Sequence, residues 1–375
     1  MMITGLLIIT ILYSVLILSF VIGFNLVKVF KTEVSTLTNS FSIVIPFRNE
    51  SQNLPDLLKS LGKLDYPKHK FEVLLVDDDS KDDSVELIMR LFISTQIDFK
   101  IIKNKRQSNS PKKDAITTAI NYAKYDWIIT TDADCGFPKL WLNTFDTFIQ
   151  KHNPKMIVAP VTYNIKPSIF ESFQLHDLLS LQGSTIGGFG LRLPFLCNGA
   201  NLAYKKTTFN ALSGFEGNDD IGSGDDIFLL EKAIKKYSKQ VRYLKSNNVL
   251  VTTKPQSSLK NLVQQRIRWA SKTASYNNSF GKIVGFMVLL MNASIISSMT
   301  LYVIDVLEWY YFIPHFVLKI MVDYLLIYKT AHFFNQKQLL KYYVLSGVFY
   351  PLFSIYIAFH SIFGGYQWKS RNFKH

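Results

Sequence analysis

The stretch WIITTDAD, residues 127–134, runs from an apolar strand-like segment into two carboxylates that stand one residue apart. Asp132 and Asp134 therefore fall at the carboxyl end of a predicted strand. Carboxylate oxygens are the ligands that Mg²⁺ and Mn²⁺ prefer, and these ions usually bridge a protein to substrate phosphates. An Asp-x-Asp pair alone is weak evidence, so the prediction of a metal site depends on its neighbours along the chain.

Around this stretch, residues 41–135 alternate between strand-like and helix-like patterns. Apolar runs predict strands at 41–45, 71–76, 99–102 and 127–129, and apolar residues at helical spacing predict the helices between them. Such alternation predicts a parallel sheet with helices on both faces. Ligands bind beyond the carboxyl ends of the strands in such sheets, and each acidic cluster of this segment falls at one of those ends.

Two further polar segments follow strands of the predicted sheet. PFRNE, residues 46–50, leads from a strand into a helix, and DDDSKDDS, residues 77–84, places three adjacent carboxylates after the second strand. Because adjacent carboxylates repel one another, a cation, backbone N–H groups or ligand atoms must offset them. A helix-capping loop and a solvated turn are the plain alternatives. Their place beside the Asp-x-Asp pair favours a nucleotide site.

Two helix starts add charged groups. Lys112 and Lys113 open a predicted helix, where they either attract phosphate oxygens or form an ordinary charged first turn. Asp225 and Asp226 stand at the predicted start of a helix, directly after a Gly-Ser-Gly segment, within GSGDDIFL, residues 222–229. They are either a helix-terminal charge pair or include a general base for a hydroxyl.

Two segments further along are less specific. QQRIRW, residues 264–269, offers arginine forks for phosphates and a flat tryptophan face, or a basic helix that meets anionic lipid. Residues 164–200 are rich in glycine, which suits a substrate-shaping surface better than a core.

Hydrophobic residues make up 48% of the chain, and the excess is concentrated at the two ends. Residues 2–27 contain no charged residue, and this run of 26 would form a helix of about 39 Å, enough to cross a bilayer core of about 30 Å. A signal peptide fits poorly, because the apolar core is too long and lacks a basic start and a small-residue cleavage site. We expect residues 1–30 to form a retained transmembrane anchor.

A C-terminal membrane region of two or three spans is predicted over residues 283–368. Uncharged stretches at 283–304 and 342–368 are each long enough to cross a bilayer. Between them, residues 309–328 carry Lys319 and Asp323, which are four apart and could pair on one helix face. Because ionisable residues are costly in lipid, we expect this segment to lie in the interface or inside a bundle without fully crossing.

The distribution of basic residues predicts the orientation. Lys28 and Lys31 follow the first span, whereas residues 1–10 are uncharged, so the positive-inside rule places residues 31–282 in the cytoplasm. The basic tail at 369–374 also looks cytoplasmic, which requires an odd number of spans. The net charge of +14 suits an anionic membrane surface or an anionic substrate, and no nucleic-acid-binding module is visible. The two cysteines form no disulfide framework, as in a reducing compartment.

Taken in order, these segments resemble the membrane-bound family 2 glycosyltransferases, which have the GT-A fold, a Rossmann-like mixed sheet with flanking helices. The resemblance covers residues 40–275, predicted as the cytoplasmic catalytic domain. There are two departures from the family pattern: Asp79 replaces a small residue, and Asp225-Asp226 replaces the commoner Glu-Asp. The marks of the resemblance are Asp77-Asp78 with Ser80 and Asp82, Asp132-Ala133-Asp134, Asp225-Asp226 and Gln265-x-x-Arg268-Trp269.

The resemblance implies a role for each of these residues. Asp132 and Asp134 would hold Mg²⁺ or Mn²⁺ on the diphosphate of a nucleotide-sugar, most often a uridine one, and Asp226 with Asp225 would supply the catalytic base. Residues 195–201 look like the family's acceptor-side loop. Asp77 and Asp78 would contact the base, and Gln265, Arg268 and Trp269 would clamp the diphosphate and the acceptor. The other implied donor-site residues are Pro46, Glu50 and Lys113.

The implied reaction is a single in-line displacement that inverts the anomeric centre. Three or four spans are few for a polymer channel, so we expect one sugar to be added to a membrane lipid. A processive polysaccharide synthase, a membrane nucleotidyltransferase and a non-catalytic membrane scaffold are the alternatives. The intact carboxylates of all the acidic motifs argue against the scaffold, because clustered charge is costly to keep.

Overall fold

The computed structural model describes residues 2–33, 35–93, 95–219, 221–368 and 371–373. The chain forms two compact units, which we call the sheet unit and the helical unit. The predicted domain 40–275 differs from this division, since parts of it belong to the helical unit. The sheet unit is Lys28–Asn164 with Cys197–Lys254, and the helical unit is Met1–Val27, Ile165–Leu196 and Pro255–His375.

The helices of the described residues are, in chain order, α1 (Met2–Leu26), α2 (Leu54–Gly62), α3 (Ser84–Phe92), α4 (Pro111–Tyr122), α5 (Trp141–His152), α6 (Ile169–Gly190), α7 (Lys206–Ala211), α8 (Asp225–Tyr237), α9 (Leu259–Ser271), α10 (Ser279–Val303), α11 (Trp309–Phe333) and α12 (Tyr343–Phe363). The strands are β1 (Phe41–Phe47), β2 (Phe71–Asp77), β3 (Asp98–Lys103), β4 (Trp127–Thr130), β5 (Met156–Val158), β6 (Val161–Tyr163), β7 (Leu202–Lys205), β8 (Val241–Tyr243), β9 (Val251–Thr253), β10 (Tyr366–Trp368) and β11 (Arg371–Phe373).

The sheet unit is built on a mixed sheet with the strand order β3-β2-β1-β4-β7-β5-β8, in which β7 runs antiparallel to β4 and β5. The four predicted strands are confirmed as β1 to β4, and they pair in parallel. Phe47 lies opposite Asp77, and Val44 lies opposite Thr130. The carboxyl ends of β1, β2 and β4 therefore meet at one edge of the sheet, where the predicted polar segments begin.

Helices cover the sheet and bury its apolar side chains. Leu54, Leu57 and Leu61 of α2 are fully buried in the same core as β1 and β2, which confirms the predicted helical spacing. Trp141 of α5 is also fully buried, and its indole N–H donates to Asn201 Oδ1 at 3.1 Å. Each such apolar side chain contributes about 1.5–3 kcal/mol by leaving water. The core thus fixes the sheet edge on which the polar segments stand.

In the helical unit, α1, α10, α11 and the segment Lys337–Phe363 are long and apolar enough to cross a membrane; these are the candidates among the described residues. The C-terminal helix ends at Phe363, and Tyr366–Trp368 forms a strand, so the predicted span at 342–368 is too long at its end. Because α11 also qualifies, the odd number of spans and the cytoplasmic side remain predictions. The basic tail residues Lys369 and Lys374 lie outside the described residues.

Polar contacts inside the helical unit join α1 to α11. Lys319 and Asp323 form an ion pair at 3.0 Å along α11, as their spacing predicts. The Tyr13 hydroxyl of α1 donates to Asp323 Oδ1 at 2.7 Å. Pairing of this kind is how ionisable groups are tolerated at membrane depth.

The glycines of α6 pack against α1. A Cβ on Gly190 would lie 1.8 Å from the Gly23 carbonyl oxygen, and one on Gly187 would lie 2.6 Å from the Phe20 carbonyl oxygen. The interpretation of residues 164–200 as a substrate-shaping surface is therefore wrong for these glycines. They are small because two helix backbones approach closely there.

Candidate active site

Asp132 and Asp134 follow the carboxyl end of β4. The Thr131 N–H donates to the Val44 carbonyl at 3.1 Å, which ties this turn to β1. Asp134 Oδ2 accepts from the Thr253 hydroxyl at 3.0 Å, at the end of β9. Burial, together with the nearby charges of Asp132 and Glu50, raises the pKa of Asp134 to about 6. A cation at this place would relieve that repulsion.

Lys112, in the first turn of α4, joins the two acidic motifs. Its Nζ lies 2.7 Å from Asp132 Oδ1 and 3.3 Å from Asp225 Oδ2. Burial alone would lower the pKa of Lys112, but the carboxylates of Asp132, Asp225 and Asp226 raise it above its usual range. The ammonium group is therefore a fixed positive charge between the two motifs.

Asp225 and Asp226 occupy the first turn of α8, and their surroundings differ. Asp225 is buried and is held by Lys112. Asp226 is only half-buried, and its Oδ2 accepts the Gly199 N–H at 3.1 Å. Of the two carboxylates, Asp226 is the better placed to meet a substrate hydroxyl, because it is partly exposed, whereas Asp225 is buried and paired with Lys112.

Asp78 follows β2 and is surrounded by donors. Asn104 Nδ2 donates to its Oδ1 at 2.7 Å, and Arg106 Nη1 lies 3.4 Å from the same oxygen. Arg48 Nη1 donates to the Asp78 carbonyl at 2.9 Å. Asn104 also donates to the carbonyl of Pro111, the first residue of α4. Asn104 therefore links Asp78 to the first turn of α4, the turn that also contains Lys112. The acidic segments of the sheet unit thus lie near one another around the start of α4.

The other carboxylates of the DDDSKDDS segment are offset locally. Asp77 accepts the Ser80 N–H at 3.0 Å, and Asp79 pairs with Lys81 at 3.0 Å. Asp82 accepts the Ser51 N–H at 3.0 Å. Backbone N–H groups and cations therefore balance this cluster, as its composition requires.

The other residues of the sheet unit that were predicted for the donor site lie in separate places. Pro46 is within β1, opposite Val76. Glu50 accepts from Asn53 Nδ2 at 2.6 Å and adds to the negative potential at Asp134. Lys113 is buried, and its ammonium group donates to backbone carbonyls at residues 218 and 221. Lys112, which the sequence interpretation did not select as a donor-site residue, is the lysine that contacts Asp132.

Gln265, Arg268 and Trp269 lie on α9 in the helical unit. Between them, Arg266 is buried and pairs with Asp177 of α6 at 2.6 Å. Its guanidinium lies 4.3 Å from the centre of the Trp269 ring and donates to Gln265 Oε1. Sequence reasoning did not identify Asp177, because a lone aspartate in an aromatic stretch gives no signal.

Comparison with known proteins agrees with this arrangement, since residues 42–207 match the family model described as glycosyl transferase family 2. This segment is therefore similar to the family 2 glycosyltransferases. The sheet unit has the GT-A fold, as predicted, and the matched segment contains β1 to β4 with both acidic strand ends.

Two curated relatives match short segments of this chain. An undecaprenyl-phosphate 4-deoxy-4-formamido-L-arabinose transferase of Pseudomonas savastanoi pv. phaseolicola is 38% identical over 98 residues, 26% of this chain and 28% of that protein. A poly(ribitol-phosphate) beta-N-acetylglucosaminyltransferase of Staphylococcus aureus is 28% identical over 118 residues, 32% of this chain and 20% of that protein. The chain thus spans less than a third of the length of these relatives.

A solved structure supports the fold over a longer segment. A mannosyltransferase from Pyrobaculum calidifontis, in complex with GDP-mannose and Mn²⁺, has a TM-score of 0.56 and covers 93% of this chain and 99% of its own. At 15% identity, the likeness concerns the fold alone.

The residues at the carboxyl end of β4 fit a divalent ion that is shared with a phosphate-bearing ligand. Among the described residues, no group of three or more His, Cys, Asp or Glu side chains could hold a metal alone. Mg²⁺ commonly binds through one or two carboxylates and takes its other ligands from phosphates and water. Asp132 and Asp134 provide those two carboxylates. Neighbouring buried hydroxyls that make no hydrogen bond within the described structure are Ser110 Oγ, Thr131 Oγ1 and Ser223 Oγ.

Proposed function

We propose that this protein transfers one sugar from a uridine diphosphate sugar to a lipid acceptor at the cytoplasmic face of a membrane, with inversion at the anomeric carbon. One observation carries the proposal: Lys112 lies between Asp132 and Asp225, and Asp226 stands next to Asp225 at the start of α8. A donor-side carboxylate and an acceptor-side carboxylate are therefore held a few ångströms from one ammonium group.

In the proposed donor site, Asp132 and Asp134 hold Mg²⁺ or Mn²⁺, and Asp78 contacts the base. When bound, the ion neutralises charge on the diphosphate and so makes it a better leaving group. Asp78 keeps its orientation through Asn104 and Arg106. Lys112 holds Asp132 in place and adds positive charge beside the diphosphate. Gln265, Arg268 and Trp269 of α9 are the residues that we propose to bind the diphosphate and the acceptor.

In the proposed reaction, the acceptor oxygen attacks the anomeric carbon from the face opposite the diphosphate. The carbon–oxygen bond to the diphosphate breaks, and its electron pair stays on the phosphate oxygen. Asp226 accepts the proton of the attacking hydroxyl, and the Gly199 N–H keeps its carboxylate oriented. A single attack needs no covalent intermediate, so the configuration inverts.

A lipid acceptor is supported by the four apolar helices and by a relative that is an undecaprenyl-phosphate sugar transferase. The second candidate acceptor is a polymer, because another relative is a poly(ribitol-phosphate) glycosyltransferase. Both acceptors are compatible with the reaction proposed above. They differ in the product, which is a glycolipid in one case and a glycosylated polymer in the other.

The test is incubation of membranes that contain the protein with labelled nucleotide-sugars and Mn²⁺. Label in an organic extract supports the lipid acceptor, and label in material that stays at the origin of a chromatogram supports a polymer. Asp226→Asn membranes are the matched control. A protein that binds no nucleotide-sugar in the presence of Mn²⁺ would be a scaffold, and release of pyrophosphate would indicate a nucleotidyltransferase.

A further inference from the structure

The helical unit contains a buried ion pair beside the QQRIRW segment. Asp177 of α6 and Arg266 of α9 lie 2.6 Å apart, with side chains that are 7% and 6% exposed. Removing two charges from water costs several kcal/mol per ion, and such pairs are weak evidence for added stability. The geometry that this pair imposes is therefore of more interest than its contribution to folding.

Arg266 contacts the residues on both sides of it in the motif. Its Nη1 donates to Gln265 Oε1, and its guanidinium lies 4.3 Å from the centre of the Trp269 ring. A planar guanidinium can stack on an indole and donate at its edge at the same time, which an ammonium group cannot do. One side chain thus sets the orientation of Gln265 and Trp269.

A second contact from α6 holds the segment that leads into α9. Gln174, one turn before Asp177, is fully buried and accepts the Gln256 N–H at 2.7 Å through Oε1. Its Nε2 donates to the Gln256 carbonyl at 3.0 Å. Gln174 and Asp177, on the same face of α6, therefore both hold α9 in position. Gln174 hydrogen-bonds to the segment before α9, and Asp177 pairs with Arg266 within it.

From these contacts we infer that Asp177 is a positioning residue of the glycosyl transfer: it orients Gln265 and Trp269 through Arg266. The inference rests on the proposed function, in which Gln265 and Trp269 act on the donor and the acceptor. In this scheme Asp177 itself contacts neither the donor nor the acceptor. Without the Asp177 carboxylate, Arg266 loses the ion pair that holds its guanidinium in place, and the guanidinium leaves the Trp269 face.

The kinetic test compares Asp177→Asn, which has the same shape without charge, with Asp177→Glu, which keeps the charge. Rates are measured on the full chain in detergent and expressed per Mn²⁺-dependent binding site for the nucleotide-sugar, so loss of folded protein does not count. We expect kcat per site to fall 10- to 100-fold in Asp177→Asn and to recover to within about threefold of the wild type in Asp177→Glu. A normal kcat in Asp177→Asn, or no recovery in Asp177→Glu, would overturn the inference.

The matched control is Asp323→Asn, which breaks the Lys319–Asp323 pair in the same unit. We expect its kcat per site to stay within about threefold of the wild type. An equal loss in Asp323→Asn and Asp177→Asn would show that any broken buried pair has this effect, and the positioning role would be wrong.

Trp269 provides a readout that does not depend on activity. The fluorescence of Trp269 is obtained by subtracting the emission spectrum of the Trp269→Phe counterpart from the emission spectrum of each protein. We expect this difference spectrum to change in Asp177→Asn and to be unchanged in Asp323→Asn; no change in Asp177→Asn would refute the inference. If the wild type transfers no sugar, the proposed function fails, and this spectrum alone still decides whether Asp177 orients Trp269.

Discussion

Replacing Lys112 by methionine removes the ammonium group that pairs with both Asp132 and Asp225. At an effective dielectric constant of about 20, an ammonium group attracts a carboxylate at 2.7 Å by about 6 kcal/mol and one at 3.3 Å by about 5 kcal/mol before desolvation is subtracted. Removing one partner of a buried pair costs about 3–5 kcal/mol in measured cases. Because the Asp132 side chain is 39% exposed, we take the lower end, about 3 kcal/mol.

Thermal unfolding of the full chain in detergent, followed by intrinsic fluorescence, measures this loss. For a domain of roughly 150–250 residues, 1 kcal/mol shifts Tm by roughly 2–4 °C, so we expect Lys112→Met to lower Tm by roughly 6–12 °C. Added Mn²⁺ should raise Tm more in Lys112→Met than in the wild type, because the ion no longer competes with an ammonium group for Asp132. Binding to the folded state alone stabilises it in proportion to the logarithm of the ion concentration.

Lys81→Met is the matched control, since Lys81 pairs with Asp79 at 3.0 Å but both side chains are more than half exposed. Exposed pairs contribute about 0–1 kcal/mol, so its Tm should stay close to that of the wild type. Equal losses in Lys112→Met and Lys81→Met would refute the argument that Lys112 is a buried link. Equal Mn²⁺ shifts in Lys112→Met and the wild type would refute the competition for Asp132.

Three further predictions concern the proposed catalytic base, a proposed metal ligand and the close contact between α1 and α6. Asp226→Asn should lower turnover roughly 10²- to 10⁴-fold in a labelled-sugar assay and keep donor binding, and near-normal turnover would mean that another residue is the base. Asp134→Ala should weaken Mn²⁺-dependent donor binding in a filter assay, and unchanged binding would place the ion elsewhere. Gly190→Ala should destabilise the protein by about 1–3 kcal/mol, whereas Gly5→Ala, which meets no atom within 4 Å, should leave Tm unchanged.

The sheet and its acidic edge could be predicted because each depends on local sequence. Apolar runs of three to six residues predicted β1 to β4, and their order along the chain predicted parallel pairing. Carboxyl ends of parallel strands meet at one edge of a sheet, so Asp78 and Asp132 were expected together without any contact being known. The antiparallel strand β7 could not be predicted in the same way, because its partners lie more than forty residues away along the chain.

The choice between Lys112 and Lys113 could not be made from the sequence. Both are in the first turn of α4, and helical spacing places both near the sheet. The ammonium group of Lys113 is taken up by carbonyls at residues 218 and 221, about a hundred residues away, and this leaves Lys112 as the contact of Asp132. A contact made by a distant loop is not encoded in the local pattern.

The glycines of α6 did carry a signal that composition alone obscured. Gly183, Gly187 and Gly190 stand four and three residues apart, which places them on one face of a helix. Small residues at that spacing are typical of closely packed helices in membranes, and here Gly187 and Gly190 pack against α1 while Gly183 packs against α11. Glycine content predicts a loop only when the spacing of the glycines is not helical.

The run Asp77-Asp78-Asp79 shows why neighbours, and not motif positions, decide which carboxylate serves a site. Asp79 replaces the small residue usual at its position, and it has a φ of 65°, a left-handed conformation that aspartate tolerates better than most residues. Its side chain is exposed and pairs with Lys81, so the substitution leaves the sheet edge unchanged. Asp77 accepts a backbone N–H within its own turn. Asp78 alone of the three receives side-chain donors from beyond the segment, which makes it the member of the run that we expect to contact a base.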